Sequence, residues 1–240
     1  MHSLISLLVH YQVVASILPG DDHRVNLSWR RDGQLFASSS IDPVRGCRVV
    51  RIWNRDLELQ YTSDVCEGLE PSLCWKPSGE VIALSQQRFQ KHEICFIEKN
   101  GLFLSSFRLP YPVSSFVIEV VSWSSDSGIL CVWGHRNEGP HCVMLWSVKN
   151  HHWYLKQTLE FDDGKDCIPA SIAWDPVHPL TLHLVTRDGS YSRFEYTWQV
   201  CRSKDASVAV IDGMHVLVTP FNTTAVPPPL SGQDSFFLLP

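Results

Sequence analysis

Little of this sequence is charged: Asp, Glu, Lys and Arg make up 19% of 240 residues, with a formal net charge of −5. The pI near 6.1 leaves no basic stripe of the kind that grips nucleic acid. Arg45, Arg48, Arg51 and Arg55 form a local cationic cluster, read here as charges on and around a strand that keep a sheet edge from aggregating. No GxSxG, HExxH, P-loop or GxGxxG occurs, which removes the common signatures of acyl transfer, zinc hydrolysis and nucleotide binding. The eight cysteines, at 47, 66, 74, 95, 131, 142, 167 and 201, contain no CxxC pair, so zinc is not expected. Cys74, Cys95 and Cys131 lie within apolar runs and read as small buried hydrophobes in a reducing compartment.

Long amphipathic helical patterns are missing as well. The apolar run in MHSLISLLVHYQVVASILPG carries no Lys or Arg ahead of it and is interrupted by His10 and Gln12. It therefore fits neither a signal peptide nor a membrane span. It is expected to supply a lead-in strand over residues 1–24, turning at Pro19-Gly20-Asp21. The sequons at Asn26 and Asn222 carry no meaning in a cytosolic chain.

What is present is a repeat. LSWRRDGQLFASSS, LCWKPSGEVIALSQ, VSWSSDSGILCVW and IAWDPVHPLTLHLVT share one pattern, with Trp29, Trp75, Trp123 and Trp174 spaced by 46, 48 and 51 residues. Periods of about 40 to 50 residues mark propeller blades. Each of the first three copies is followed 22 to 24 residues later by an apolar run ending at Trp53, Ile97 or Trp146. In VNLSWRRDG the side chains of Val25, Leu27 and Trp29 alternate with Asn26 and Ser28, as in a half-buried strand. Polar turns with Gly then reverse the chain. Four antiparallel strands per unit follow, and such a sheet must stack on copies of itself.

The expected fold is all-β: an incomplete WD40-like β-propeller of about four blades spanning residues 25–200, with 201–240 passing toward a second propeller. Trp29, Trp53, Trp75, Trp123, Trp146 and Trp174 are the expected repeat core. Possible surface contacts are Arg51, Lys156 and His152, the last in the cluster His151-His152-Trp153-Tyr154. Adjacent strand residues face opposite ways, so His151 and His152 do not readily serve one metal. Asp126, Asp175 and His183 are the groups a propeller enzyme would use at its channel, but turns account for both aspartates. No catalytic residue, cofactor, metal or small-molecule substrate is expected.

The strings SWRRDGQLFASSS, VRIWNRDLELQYTS, LCWKPSGEVIALSQ, FIEKNGL, HWYLKQTLEF and AVIDGMHVLVT, in that order, resemble the amino-terminal WD40-type propeller region of the largest, scaffold subunits of the Elongator complex. The resemblance runs from about Val25 to the end, including the prolines after Val226. It departs from ordinary WD40 repeats in carrying Trp53-Asn54 and Trp146-Ser147 in place of Trp-Asp, so the hydrogen-bond network built on that dipeptide is not assured. It implies a non-catalytic scaffold supporting modification of transfer-RNA wobble uridines, in the cytoplasm and also the nucleus. The chemistry would reside in another subunit, with other Elongator subunits as partners, transfer RNA met only indirectly, and no membrane. The members of that family are far longer, with two propellers and a helical arch, so the sequence reads as a fragment or short isoform covering later blades of the first propeller. A generic WD40 adaptor shares the periodicity but not the six strings.

Overall fold

The computed structural model describes residues 24–64, 67–137, 139–149, 151–161, 167–199, 204, 207–223 and 234–237. The expected lead-in strand before Arg24 lies outside the described residues. Among the described residues, eighteen strands form five antiparallel sheets, each in simple chain order. The first sheet holds β1 (Asn26–Trp29), β2 (Leu35–Asp42), β3 (Cys47–Asn54) and β4 (Leu59–Thr62). The second holds β5 (Leu69–Trp75), β6 (Val81–Arg88), β7 (Lys91–Glu98) and β8 (Phe103–Pro112). The third holds β9 (Phe116–Trp123), β10 (Leu130–Arg136), β11 (His141–Lys149) and β12 (His152–Phe161). The fourth has three strands among the described residues, β13 (Pro169–Trp174), β14 (Thr181–Thr186) and β15 (Tyr191–Glu195). The stretch read as a connection carries a fifth sheet, β16 (Ser207–Asp212), β17 (His215–Pro220) and β18 (Asp234–Phe237).

The first strands β1, β5, β9 and β13 lie beside one another in series, which sets the four sheets side by side around a common axis as propeller blades. Polar contacts between neighbouring blades recur. Ser28 Oγ accepts the Trp75 N–H at 2.9 Å, and Ser72 Oγ accepts the Val121 N–H at 2.9 Å. The cation just after a repeat tryptophan reaches the next one: Arg30 sits 5.9 Å from the Trp75 ring and Lys76 sits 5.2 Å from the Trp123 ring. The turns are tied as well, Arg31 to the Ser125 carbonyl and the Ser78 N–H to Ser127 Oγ.

Register explains how one sequence pattern serves every blade. Trp29 pairs with Phe36 and Phe36 with Trp53; Trp75, Ile82 and Ile97 form the same row in the second sheet. Trp123, Leu130 and Trp146 form it in the third, and Trp174, Leu182 and Phe194 in the fourth. Because strand side chains alternate, each row occupies one face of its sheet. Each of the last three rows packs on the opposite face of the preceding sheet. The second row meets Ala37 and Ile52, the third meets Ala83 and Phe96, and the fourth meets Cys131 and Leu145.

The first row differs. Trp29 was expected in the core, yet it is 50% exposed, and Val25 and Leu27 beside it are exposed too. Its indole leans on Phe36, at 4.9 Å between ring centroids, but no sheet among the described residues covers its other side. Trp53 is half-buried, stacked with Phe36 at 6.3 Å and donating from Nε1 to Ser38 Oγ. Trp75, Trp123 and Trp146 are buried, and Trp174 is half-buried. The periodicity alone did not single out Trp153, which packs from β12 against both Phe96 and Phe107, stacking at 5.0 and 4.7 Å.

Candidate interaction surface

A fixed irregularity sits opposite the second landmark of each four-stranded blade. Trp53 pairs with Leu59 but Ile52 with Tyr61, leaving Gln60 extra. Ile97 pairs with Phe103 but Phe96 with Ser105, leaving Leu104 extra. Trp146 pairs with Leu155 but Leu145 with Gln157, leaving Lys156 extra. A β-bulge of this kind turns one side chain and its backbone out of the ladder, here on the outermost strand of the blade.

In the third blade the bulge is occupied by the tight turn between β16 and β17. Asp212 Oδ1 accepts the Leu155 N–H at 2.9 Å, and the Gly213 N–H donates to the Leu155 carbonyl at 2.7 Å. Lys156 Nζ donates to the Ile211 carbonyl at 2.8 Å. His152 Nε2 lies 3.9 Å from Asp212 Oδ2. Gly213 adopts φ +63°, a left-handed conformation that glycine takes without steric cost. The sequence Asp-Gly between two alternating apolar runs is a hairpin signal, and it could have been read at positions 212 and 213.

His152 and Lys156 are thus brought together, and what they meet is the chain's own fifth sheet. The Lys156 ammonium stands over the Tyr154 ring at 4.7 Å. Burial lowers its pKa, and the Asp212 charge works in the opposite direction. His152 packs edge-on against Tyr154, ring centroids 4.5 Å apart. Arg51, expected as a surface contact, is engaged within its own sheet: Nη2 meets Asp42 Oδ2 at 2.7 Å and Nη1 donates to Ser40 Oγ. Arg48 of the same cluster is buried and donates to the Arg24 and Ser39 carbonyls.

The groups weighed for channel chemistry hold turns. Asp126 Oδ1 accepts from Ser124 Oγ at 2.6 Å and from the Gly128 N–H at 3.0 Å. Asp175 accepts the N–H groups of His178 and Val177, with His183 Nε2 3.1 Å from its other oxygen. Those backbone donors first, and His183 after them, hold the Asp175 carboxyl well below the usual carboxylate range. Tyr191 OH lies 2.7 Å from His183 Nδ1. The two aspartates and the histidine do not all converge: Asp126 belongs to the turn of the third blade, Asp175 and His183 to the fourth.

Residues 12–177 match the family described as the ELP1 first N-terminal β-propeller. A putative elongator complex protein 1 of Xenopus laevis is 45% identical over 226 residues, covering 91% of this chain and 19% of the relative. Elongator complex protein 1 of Saccharomyces cerevisiae is 30% identical over 234 residues, covering 89% of this chain and 16% of the relative. The chain therefore spans less than a fifth of the length of these curated relatives. Among solved structures, a prolyl endopeptidase superposes with TM-score 0.52 at 16% identity, covering 80% of this chain and 30% of that one. TolB from Acinetobacter baumannii superposes with TM-score 0.50 at 11% identity, covering 81% and 50%. At such identities the likeness is one of fold alone.

Proposed function

Since the chain belongs to the ELP1 first N-terminal β-propeller family, we propose that it is a non-catalytic scaffold segment of the Elongator complex. It holds other subunits and so supports the modification of transfer-RNA wobble uridines, in the cytoplasm and the nucleus. The observation that carries this reading is the 30 to 45% identity to elongator complex protein 1 over about nine-tenths of the chain. Its physical basis is a stack of blades joined by side-chain rows, a rigid body with a packed interior whose outer strands β4 and β8 are exposed over most of their residues. Propellers are suited to this because radial stacking leaves only short edges exposed. The net charge of −5 supports contact with transfer RNA through partner subunits and not through this body.

The test is co-purification. The tagged 240-residue chain, expressed with the remaining Elongator subunits, is expected to bring them down and to show no turnover alone. Absence of those subunits from the eluate, under conditions where a full-length relative retains them, would overturn the reading.

A further inference from the structure

One imidazole in the fourth blade stands between a carboxylate and a phenol. His183 of β14 has Nε2 3.1 Å from Asp175 Oδ2 and Nδ1 2.7 Å from Tyr191 OH. The turn needs only half of Asp175: Oδ1 accepts the Val177 and His178 N–H groups at 2.8 and 2.7 Å and lies 3.4 Å from His178 Nδ1. Oδ2 is left for His183. The backbone donors hold the carboxyl well below the usual carboxylate range, so Asp175 only accepts and the imidazole proton sits on Nε2. In a neutral imidazole the other nitrogen is then an acceptor, and the Tyr191 O–H donates to it. A nucleophile on a base, with the base oriented by a third group, is the arrangement of an activated nucleophile. The phenol is open to reagents, 60% exposed at the start of β15.

The surroundings select the electrophile. Arg193, in register with His183, is tied to Glu195, so the face meets a phosphoryl group with two carboxylates and a guanidinium already paired. A carbonyl carbon, neutral and planar, meets no such repulsion. We propose that Tyr191 is an acyl-acceptor site, a phenol that His183 deprotonates and Asp175 orients, and that it takes the acyl group of thioesters and other activated esters. The Tyr191 oxygen bonds to the acyl carbon, the carbon–sulfur bond breaks, and the phenol proton passes through His183 Nδ1 to the departing thiolate. The products are an aryl ester and a free thiol, with nothing oxidised or reduced. The transfer is stoichiometric, one acyl group per chain. It goes beyond the scaffold role and holds whether or not the chain assembles with Elongator subunits.

The probe is p-nitrophenyl acetate, added to the full 240-residue chain, with acetylated peptides followed over time by mass spectrometry. Tyr61, 48% exposed, is the internal reference. Tyr191 is expected to be acetylated at least about tenfold faster than Tyr61, a small part of the roughly 10²–10⁴ that a positioned general base supplies. Asp175→Asn keeps an oxygen for the Val177 and His178 N–H groups but turns an amide N–H toward Nε2, which moves the imidazole proton to Nδ1 and removes the base. It is expected to bring Tyr191 down to the Tyr61 rate in a chain that still melts cooperatively, whereas a carboxylate that merely holds the turn would leave the rate unchanged. His183→Gln is expected to do the same and serves if the asparagine variant does not fold. Equal rates at Tyr191 and Tyr61 in the parent chain, or a fast Tyr191 rate that persists in either folded variant, overturns the proposal.

Discussion

Replacing Trp123 by alanine separates the stacked-blade account from a mere count of tryptophans. Trp123 is 6% exposed. Its ring lies 6.1 Å from Phe96 and 5.9 Å from Trp153, with the Lys76 ammonium 5.2 Å from its centroid. Truncating a buried tryptophan removes transfer energy and leaves a cavity, a loss of about 4 kcal/mol within the usual span of roughly 3 to 5. Two aromatic neighbours and a cation over the ring place the loss in the upper half of that span. Trp29 occupies the same register position in its own blade but is half exposed, so Trp29→Ala is expected to cost about 1 to 2 kcal/mol, from area alone. For a domain of this size one kcal/mol moves the midpoint by roughly 2 to 4 °C. Trp123→Ala should then melt about 8 to 20 °C lower than the parent, and Trp29→Ala about 2 to 8 °C lower. Far-UV circular dichroism is the assay, because tryptophan fluorescence is altered by the substitution itself. If Trp29→Ala destabilises as much as Trp123→Ala, the face of the first blade is covered and the row argument is wrong in its asymmetry.

Three further outcomes follow from single contacts. Gly68 has φ +72°, and a Cβ there would lie 1.8 Å from the Gln87 carbonyl oxygen, whereas at Gly33, φ +67°, nothing lies within 4 Å. Gly68→Ala should therefore cost at least about 3 kcal/mol and Gly33→Ala only about 1, as read by urea denaturation; equal costs would show that the close approach at Gly68 relaxes freely. Asp212→Ala should raise the hydrogen-exchange rate of the Leu155 amide about tenfold, with Asp212→Asn intermediate; an unchanged rate would mean that the turn does not hold the β12 edge. Burial pushes the Cys131 thiol up to about 12 and the Cys142 thiol up to about 11. A thiol whose folded pKa is raised adds stability that is whole below its unfolded value, about 8.5, and is lost as pH rises toward the folded value. Stability should then fall between about pH 9 and pH 12, and native-state maleimide labelling should modify exposed Cys167 but spare Cys95 and Cys131; rapid labelling of Cys131 would contradict its burial.

Much of the blade architecture was legible because a strand carries its packing in an alternating pattern. Trp75, Trp123 and Trp174 announce their strands, and the runs ending at Trp53, Ile97 and Trp146 fall in third strands. The pattern could not say which face of the first sheet is covered. In β1 the residues turned toward the second blade are Asn26 and Ser28, with Ser28 bonded to the Trp75 backbone, while the apolar set Val25, Leu27 and Trp29 faces outward. Alternation gives two faces, and only the neighbouring sheet decides between them. The bulges were illegible for a related reason: an extra residue at Gln60, Leu104 or Lys156 has no side-chain signature, since one is an amide, one aliphatic and one cationic. Asp212 was hidden because its partner Leu155 is a backbone group 57 residues away.

The fourth blade shows how face chemistry limits what can stack next. In the second and third sheets the positions meeting the following row are Ala83 and Phe96, then Cys131 and Leu145, small or apolar groups that an indole can cover. The corresponding positions in the fourth are His183 and Arg193, paired in register and flanked by Ala173. His183 is held between Asp175 and Tyr191, and Arg193 is paired with Glu195. Laying a tryptophan row over this face would strip water from the Arg193 guanidinium without offering it a new partner, at a cost of several kcal/mol for the buried charge. The fifth sheet avoids that cost by meeting the third blade at the edge of β12 through backbone groups and one carboxylate. Among the described residues the apolar rows run as far as the fourth blade, and a sheet that covers its far face must bring acceptors for Arg193 and His183 in place of an indole.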